Sequence, residues 1–237
     1  MYAAASGMAA QQTNLDIIAD NLANADVAGF KGAAASFADV NAGGTLGLGT
    51  AEVGRHPLFE QGKLMKSGGP FDVAIDGPGF FRVDKGSASG YTRAGEFTRS
   101  ADGRLRNADG WALHGVRLPS DALSAAVDRD GRIFVDTATV KHRAAGRIVL
   151  ASFRAPEQLK PLGGTLFAQT PESGDALRLE PGGATSSIAF GMLEKSNVSI
   201  VESMMQILTA QRAYEANAKG VQAADEMLRI ANNLHRS

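Results

Sequence analysis

Both ends of the chain carry apolar residues at a helical period, while the stretch between them alternates with a period of two. Near the start Met1, Met8, Leu15 and Leu22 recur every seven residues, with Ala4, Ile18 and Ala25 offset between them. Near the end Ile200, Ile207, Tyr214, Val221 and Leu228 repeat that spacing, flanked by Met204, Leu208, Ala218 and Met227. Stripes of this kind gain their stability by packing against a partner. A chain that closes its termini on each other, or on the termini of other copies, reads as a subunit of an assembly rather than a free enzyme. The pattern predicts an α+β fold in which the N- and C-terminal helices pair as an antiparallel coiled-coil-like domain beside a central hairpin-rich β domain. The expected divisions are an N-terminal helix in 1–31, an extended connector in 32–65, the β domain in 66–194 and a C-terminal helix in 195–237.

Local signals mark the ends of these elements. Asn24 to Gly29 mixes turn formers with a helix-stopping glycine, so the first helix is expected to end near Asn24. Ser199 and Glu202 stand at capping-box spacing and predict the start of the last helix. The connector, with Asn41-Ala42-Gly43-Gly44 and Leu46-Gly47-Leu48-Gly49, has no strong period and reads as extended. Beyond it, Phe71 to Ile75, Phe80 to Val83, Ile133 to Val135 and Ile148 to Leu150 read as strands. Asp76-Gly77, Asp102-Gly103, Asp109-Gly110 and Asp130-Gly131 punctuate the region, and Asp-Gly between strand-like runs predicts two-residue hairpin loops, in which both central positions tend to need positive φ.

Composition narrows the functional classes. The 237 residues hold ample core material, with 44% hydrophobic and 21% charged, and the formal net charge of -1 leaves no electrostatic footprint for nucleic acid. No apolar run approaches the roughly 18 residues of a membrane span. The first basic residue is Lys31, so the start lacks a secretory signal's basic region, and the absence of cysteine excludes disulfides and thiolate metal sites. Asp128-Arg129-Asp130-Gly131 with Asp136 hints at a calcium loop. Aligning Gly131 to its sixth position, however, puts Ala126 and Thr137 where acids are required. Gly47-Leu48-Gly49 has only two glycines of a dinucleotide fingerprint, and Glu52 stands where the third belongs. His56, His114, His142 and His235 make no pair at helical metal spacing, and no Gly-x-Ser-x-Gly elbow is present. No catalytic residue, cofactor or metal site is therefore expected, and no small-molecule substrate.

The helices also carry uncharged amides. Gln11, Asn14, Asn21 and Asn24, with Gln206, Gln211, Asn217 and Gln222, can set register across a packed interface through hydrogen bonds, at less cost than buried charges. The expected assembly interface is Met8, Leu15, Ile18 and Leu22 on the first helix with Ile200, Met204, Ile207, Gln211, Tyr214, Val221 and Leu228 on the last.

Four stretches in order resemble the rod proteins of the bacterial flagellar basal body. Asp16 to Asn24, closing in Gly29-Phe30-Lys31, is similar to the N-terminal signature of rod and hook subunits. Asp72 to Phe81 and Tyr91 to Phe97 resemble two central motifs, and Gln211 to Asn217 with Ala224 to Leu228 resembles the C-terminal one. The resemblance implies a structural subunit that passes through the flagellar (type III) export apparatus without a cleaved signal. It implies helical stacking with its own copies and with other rod and hook subunits, in the rod that crosses the periplasm and transmits torque. The C-terminal motif favours the distal rod type over the proximal one. The alternative reading is a monomeric secreted β-rich binding module or adhesin whose terminal helices pair only in cis.

Overall fold

The computed structural model describes residues 2–39, 49–138, 140–183 and 185–234. The chain divides into two compact units, one built from 1–23, 33–56 and 198–237, the other from 24–32 and 57–197. The Gly-rich run 41–48 of the connector lies outside the described residues.

The first unit holds the helices α1 (Tyr2–Ala23) and α2 (Ile200–Leu234) together with strands β1 (Ala33–Asp39) and β2 (Thr50–Pro57), which pair with each other. Both helix ends follow the local signals. α1 stops at Ala23, and α2 begins one residue after Ser199, whose Oγ accepts from Glu202 N at 3.4 Å. The hairpin is laid along α1 by side chains. The Asn21 amide donates to Ala33 O and accepts from Ala33 N, both at 2.8 Å, as a neighbouring strand would. Farther along, Ser6 Oγ accepts from Thr50 N at 3.1 Å, and Arg55 pairs with Asp20 at 2.8 Å.

The expected coiled-coil-like helix domain is not what forms. The structure has one N-terminal and one C-terminal helix beside a β-rich body of several antiparallel sheets, and a β hairpin shares the helices' own unit. Nor, among the described side chains, is there a buried seam of large apolar residues. On α2 the buried residues are Ser203 and Ala210, whereas Ile200, Met204, Gln211 and Tyr214 are exposed. On α1 only Ile17 and Ile18 are buried among the described side chains. The heptad counted from the sequence is real, but large apolar residues on two adjacent faces satisfy the same count, and the unit turned its small-residue face inward.

The second unit is an all-β body. Its largest sheet has nine strands, centred on Phe80–Lys85, which pairs with Ala88–Thr92 on one edge and with Leu150–Ser152 and Ala112–Leu113 along the other. A three-stranded sheet runs Ala122–Val127, Arg132–Thr137, Arg143–Arg147, and two-stranded ladders join Val73–Asp76 to Ser187–Phe190 and Leu64–Lys66 to Met192–Glu194. Strand alternation sends Phe81 and Val83 into the main core with Ile75, Ile133 and Leu150, while Phe80 faces a second, aromatic cluster with Tyr91, Phe153 and Phe167.

Three of the four Asp-Gly pairs close hairpins, and they do so identically. In 100–104, 107–111 and 128–132 the glycine N–H donates to the residue three before it, and the first residue's N–H donates to the fifth's carbonyl. Gly103, Gly110 and Gly131 have φ near +79, +81 and +75, while the aspartates are not among the residues at positive φ. The turn is thus a β-turn followed by a left-handed glycine, not the two-residue loop expected. Asp76-Gly77 instead carries the chain from one sheet to another.

Segments 24–32, 57–63 and 194–197, at the places where the chain enters and leaves the body, are bound to one another. Gly32 N donates to Asn197 Oδ1 at 2.9 Å, Leu58 N to Gly32 O at 2.7 Å and Asn197 Nδ2 to Leu58 O at 2.7 Å. Glu194 lies at the centre. Its Oε1 accepts from Lys31 Nζ at 2.6 Å and Gly62 N at 2.8 Å, its Oε2 from Arg93 Nε at 2.8 Å, and its carbonyl from Gly29 N at 2.7 Å. All three charged residues are buried. Lys31 also donates to Glu60 O at 2.6 Å, and Arg93 Nη1 to Gly77 O and Gly79 O at 2.8 and 2.7 Å. Burial pulls the Lys31 ammonium below the ordinary lysine range, against the opposing hold of Glu194.

Two outcomes follow. Glu194→Gln leaves two buried cations without a carboxylate and should lower unfolding free energy by about 3–5 kcal/mol. Lys31→Met leaves one cation facing one carboxylate and should cost less, and urea denaturation of the two variants measures the order. Among the turns, Gly131→Ala should cost more than Gly110→Ala. A methyl at Gly131 would stand 2.6 Å from Ile148 O, whereas at Gly110 the nearest atom is Lys85 Nζ at 4.0 Å. Thermal unfolding of the two variants decides that comparison.

Candidate functional site

The surface that the fold leaves unexplained is the outer side of α2. With 35 residues the helix is about 52 Å long at 1.5 Å per residue. Ile200, Met204 and Leu208 form one exposed row at four-residue spacing, with Val201 and Met205 beside it. Tyr214, Met227 and Ile230 continue the exposed apolar residues toward the C-terminal end. Val201, Met205 and Leu208 are 70%, 65% and 57% exposed, so this is not a partly covered core edge. Contiguous exposed apolar rows of this kind are characteristic of interaction surfaces. Neither α1 nor α2 is long and apolar enough to cross a membrane among the described residues.

The inward side of the same helix is built differently. Ser203 and Ala210 are buried, and Ile207, Ala213, Asn217, Val221 and Ala224 are half-buried. Small residues let α1 come close: a β-carbon added at Gly7 would lie 3.3 Å from Asn217 Nδ2. Gln11, Asn14 and Asn217 line a recess of about 270 Å³ floored by Phe37 and Ala10. Asn21 is spent on the β1 backbone, and Gln206, Gln211 and Gln222 face outward.

The residues singled out in the sequence therefore divide. Ile200, Met204, Gln211 and Tyr214 are exposed, Met8, Leu15, Leu22, Ile207 and Val221 are half-buried, and Ile18 is buried. The Leu228 side chain lies outside those described. Val201, Met205 and Ile230 also belong to the exposed face and lie outside the seven-residue repeat of Ile200, Ile207, Tyr214, Val221 and Leu228. Lys31, Arg93 and Glu194 were not selected. Lys31 and Arg93 fall inside the Gly29-Phe30-Lys31 and Tyr91 to Phe97 motifs, but nothing local to either one marks Glu194 as its partner.

Elsewhere the acidic groups are occupied locally. Asp128 Oδ1 accepts from Arg129 N at 2.7 Å within its hairpin turn, and Asp136 accepts from Ser124 Oγ and His142 N. Among the described residues no group of three or more His, Asp or Glu side chains is placed to hold a metal ion.

Comparison with known proteins falls on the same regions. Residues 1–31 match the family model described as flagella basal body rod protein. Residues 74–135 match the flagellar hook protein FlgE/F/G D1 domain, and 190–234 the flagellar basal body rod FlgEFG protein C-terminal model. The flagellar basal-body rod protein FlgG of Agrobacterium fabrum is 36% identical over 255 residues, covering 97% of this chain and 96% of its own. That of Borreliella burgdorferi is 36% identical over 260 residues, covering 100% and 98%. The flagellar basal-body rod protein FlgF of Mesorhizobium japonicum is 33% identical over 228 residues, covering 92% and 90%. Matches of this extent at both termini and through the β body establish that the chain belongs to the flagellar basal-body rod protein family, as a structural subunit of the bacterial flagellum.

Proposed function

We propose that the chain polymerises through its terminal helices, stacking with its own copies and with other rod and hook subunits into the shaft that crosses the periplasm and carries torque. The role is mechanical rather than catalytic, and the subunit reaches the rod through the flagellar export apparatus without a cleaved signal. The observation that carries this reading is the exposed apolar row on α2, which has no partner within the described chain. In that assembly Ile200, Met204, Gln211 and Tyr214 make contacts between subunits, with Leu228 extending them. Met8, Leu15, Ile18, Leu22, Ile207 and Val221 hold the terminal helices in the shape that presents those contacts. Segments 1–31 and 195–237 act as the assembling part, 66–194 as the body and 32–65 as the connection. A distal rather than a proximal position accords with fuller coverage against the FlgG relatives than against the FlgF one.

The energetics favour such contacts. Fully burying a Leu, Ile, Met or Val side chain is worth about 1.5–3 kcal/mol, so covering Val201, Met204, Met205 and Leu208 supplies several kcal/mol per subunit before losses of motion. Met204→Asp combined with Leu208→Asp should abolish self-association while changing unfolding free energy by no more than about 0.5 kcal/mol, as expected of exposed positions. Sedimentation velocity over a concentration range reads the first quantity and thermal unfolding the second. A native chain that stays monomeric at every concentration would favour the binding-module alternative, and a doubly substituted chain that still associates would move the interface elsewhere.

A further inference from the structure

The β body contains a cleft of about 350 Å³ that the polymerising helices do not account for. Its floor is aromatic. Phe59 meets Phe80 edge to face at 4.9 Å between ring centroids, and Phe80 meets Phe153 at 5.8 Å. Pro78 and Pro156 form its sides, and Arg93 and Ser152 also line it.

Arg93 gives the cleft its chemistry. The side chain is 4% exposed, its Nε is held by Glu194 and its Nη1 by the carbonyls of Gly77 and Gly79. Nη2 has no acceptor among the described residues. No buried side-chain nitrogen or oxygen there is left without a partner, so Nη2 is the part of this guanidinium that reaches the surface, at the cleft Arg93 lines. A fixed, nearly buried guanidinium with a free N–H, at the end of an aromatic floor, is suited to a carboxylate with an apolar group beside it.

We infer that this cleft receives an acidic side chain adjacent to an aromatic one, presented by a neighbouring protein of the assembly. The choice of a protein segment as occupant rests on the rod-subunit reading; the carboxylate chemistry rests on Arg93 alone. The incoming carboxylate accepts from Nη2, while the adjoining ring packs into the cleft against its aromatic and proline lining.

The full-length, isotope-labelled chain is titrated with N-acetyl-Glu-Phe-amide and, separately, with N-acetyl-Gln-Phe-amide, following backbone amide resonances. The acidic dipeptide should move the signals of Gly77, Gly79, Phe80 and Ser152, and the neutral one should bind at least tenfold more weakly. Ser152→Phe fills the cleft without touching the ionic cluster and should abolish the shifts while the remaining spectrum stays in place. Equal binding of the two dipeptides, shifts confined to other residues, or binding retained in Ser152→Phe overturns the inference. Phenylacetate binding as tightly as the acidic dipeptide overturns the protein-segment occupant. Self-association measured by sedimentation on the same sample is a separate readout, so loss of peptide binding with normal association sinks only this inference.

Discussion

One carboxylate holds the body of this protein closed. Glu194 is reached by Lys31 from one end of the chain, by Arg93 from the middle, and by the Gly62 amide between them. Buried charges are costly unless paired and hydrogen-bonded, and here each is both. The two cations share one anion and make up the difference with carbonyls from Glu60, Gly77 and Gly79. An apolar cluster of the same volume could match this cluster in stability. What it could not do is specify which backbone segments meet, because each of these bonds has a direction and a single acceptor.

How much of this was legible in the sequence depended on the range of each interaction. Helix ends are set by neighbours a few residues away, so Ser199 and the turn after Asn24 could be read directly. The glycines of the Asp-Gly pairs could be placed at turns for the same reason, although the turn geometry differed from the one expected. The inward face of α2 was not legible. Met204 and Ile207 are both large and apolar, and nothing in the local sequence distinguishes the face that turns outward from the one where Ser203 and Ala210 are buried. β1 was hidden because an Ala-rich strand has little contrast between its faces, and the Asn21 amide that anchors it looks like any polar helix residue. The ionic cluster was invisible for a simpler reason: nothing within ten residues of Glu194 indicates Lys31.

The two sides of α2 perform different tasks with different side chains. Small residues bring the helix backbones close, while Ile200, Val201, Met204, Met205 and Leu208 face outward. The β body is packed differently, with T-shaped aromatic pairs and β-branched residues fixing one arrangement.

The position of Glu194 also has a consequence in time. Its partner Lys31 is 163 residues earlier in the chain, and Arg93 is 101 residues earlier. A chain that becomes available from its N-terminus carries both cations long before the carboxylate that joins them. Until residue 194 is present, closing the body would bury two like charges with no anion between them. The ionic cluster can therefore be completed only after nearly all of the chain is present.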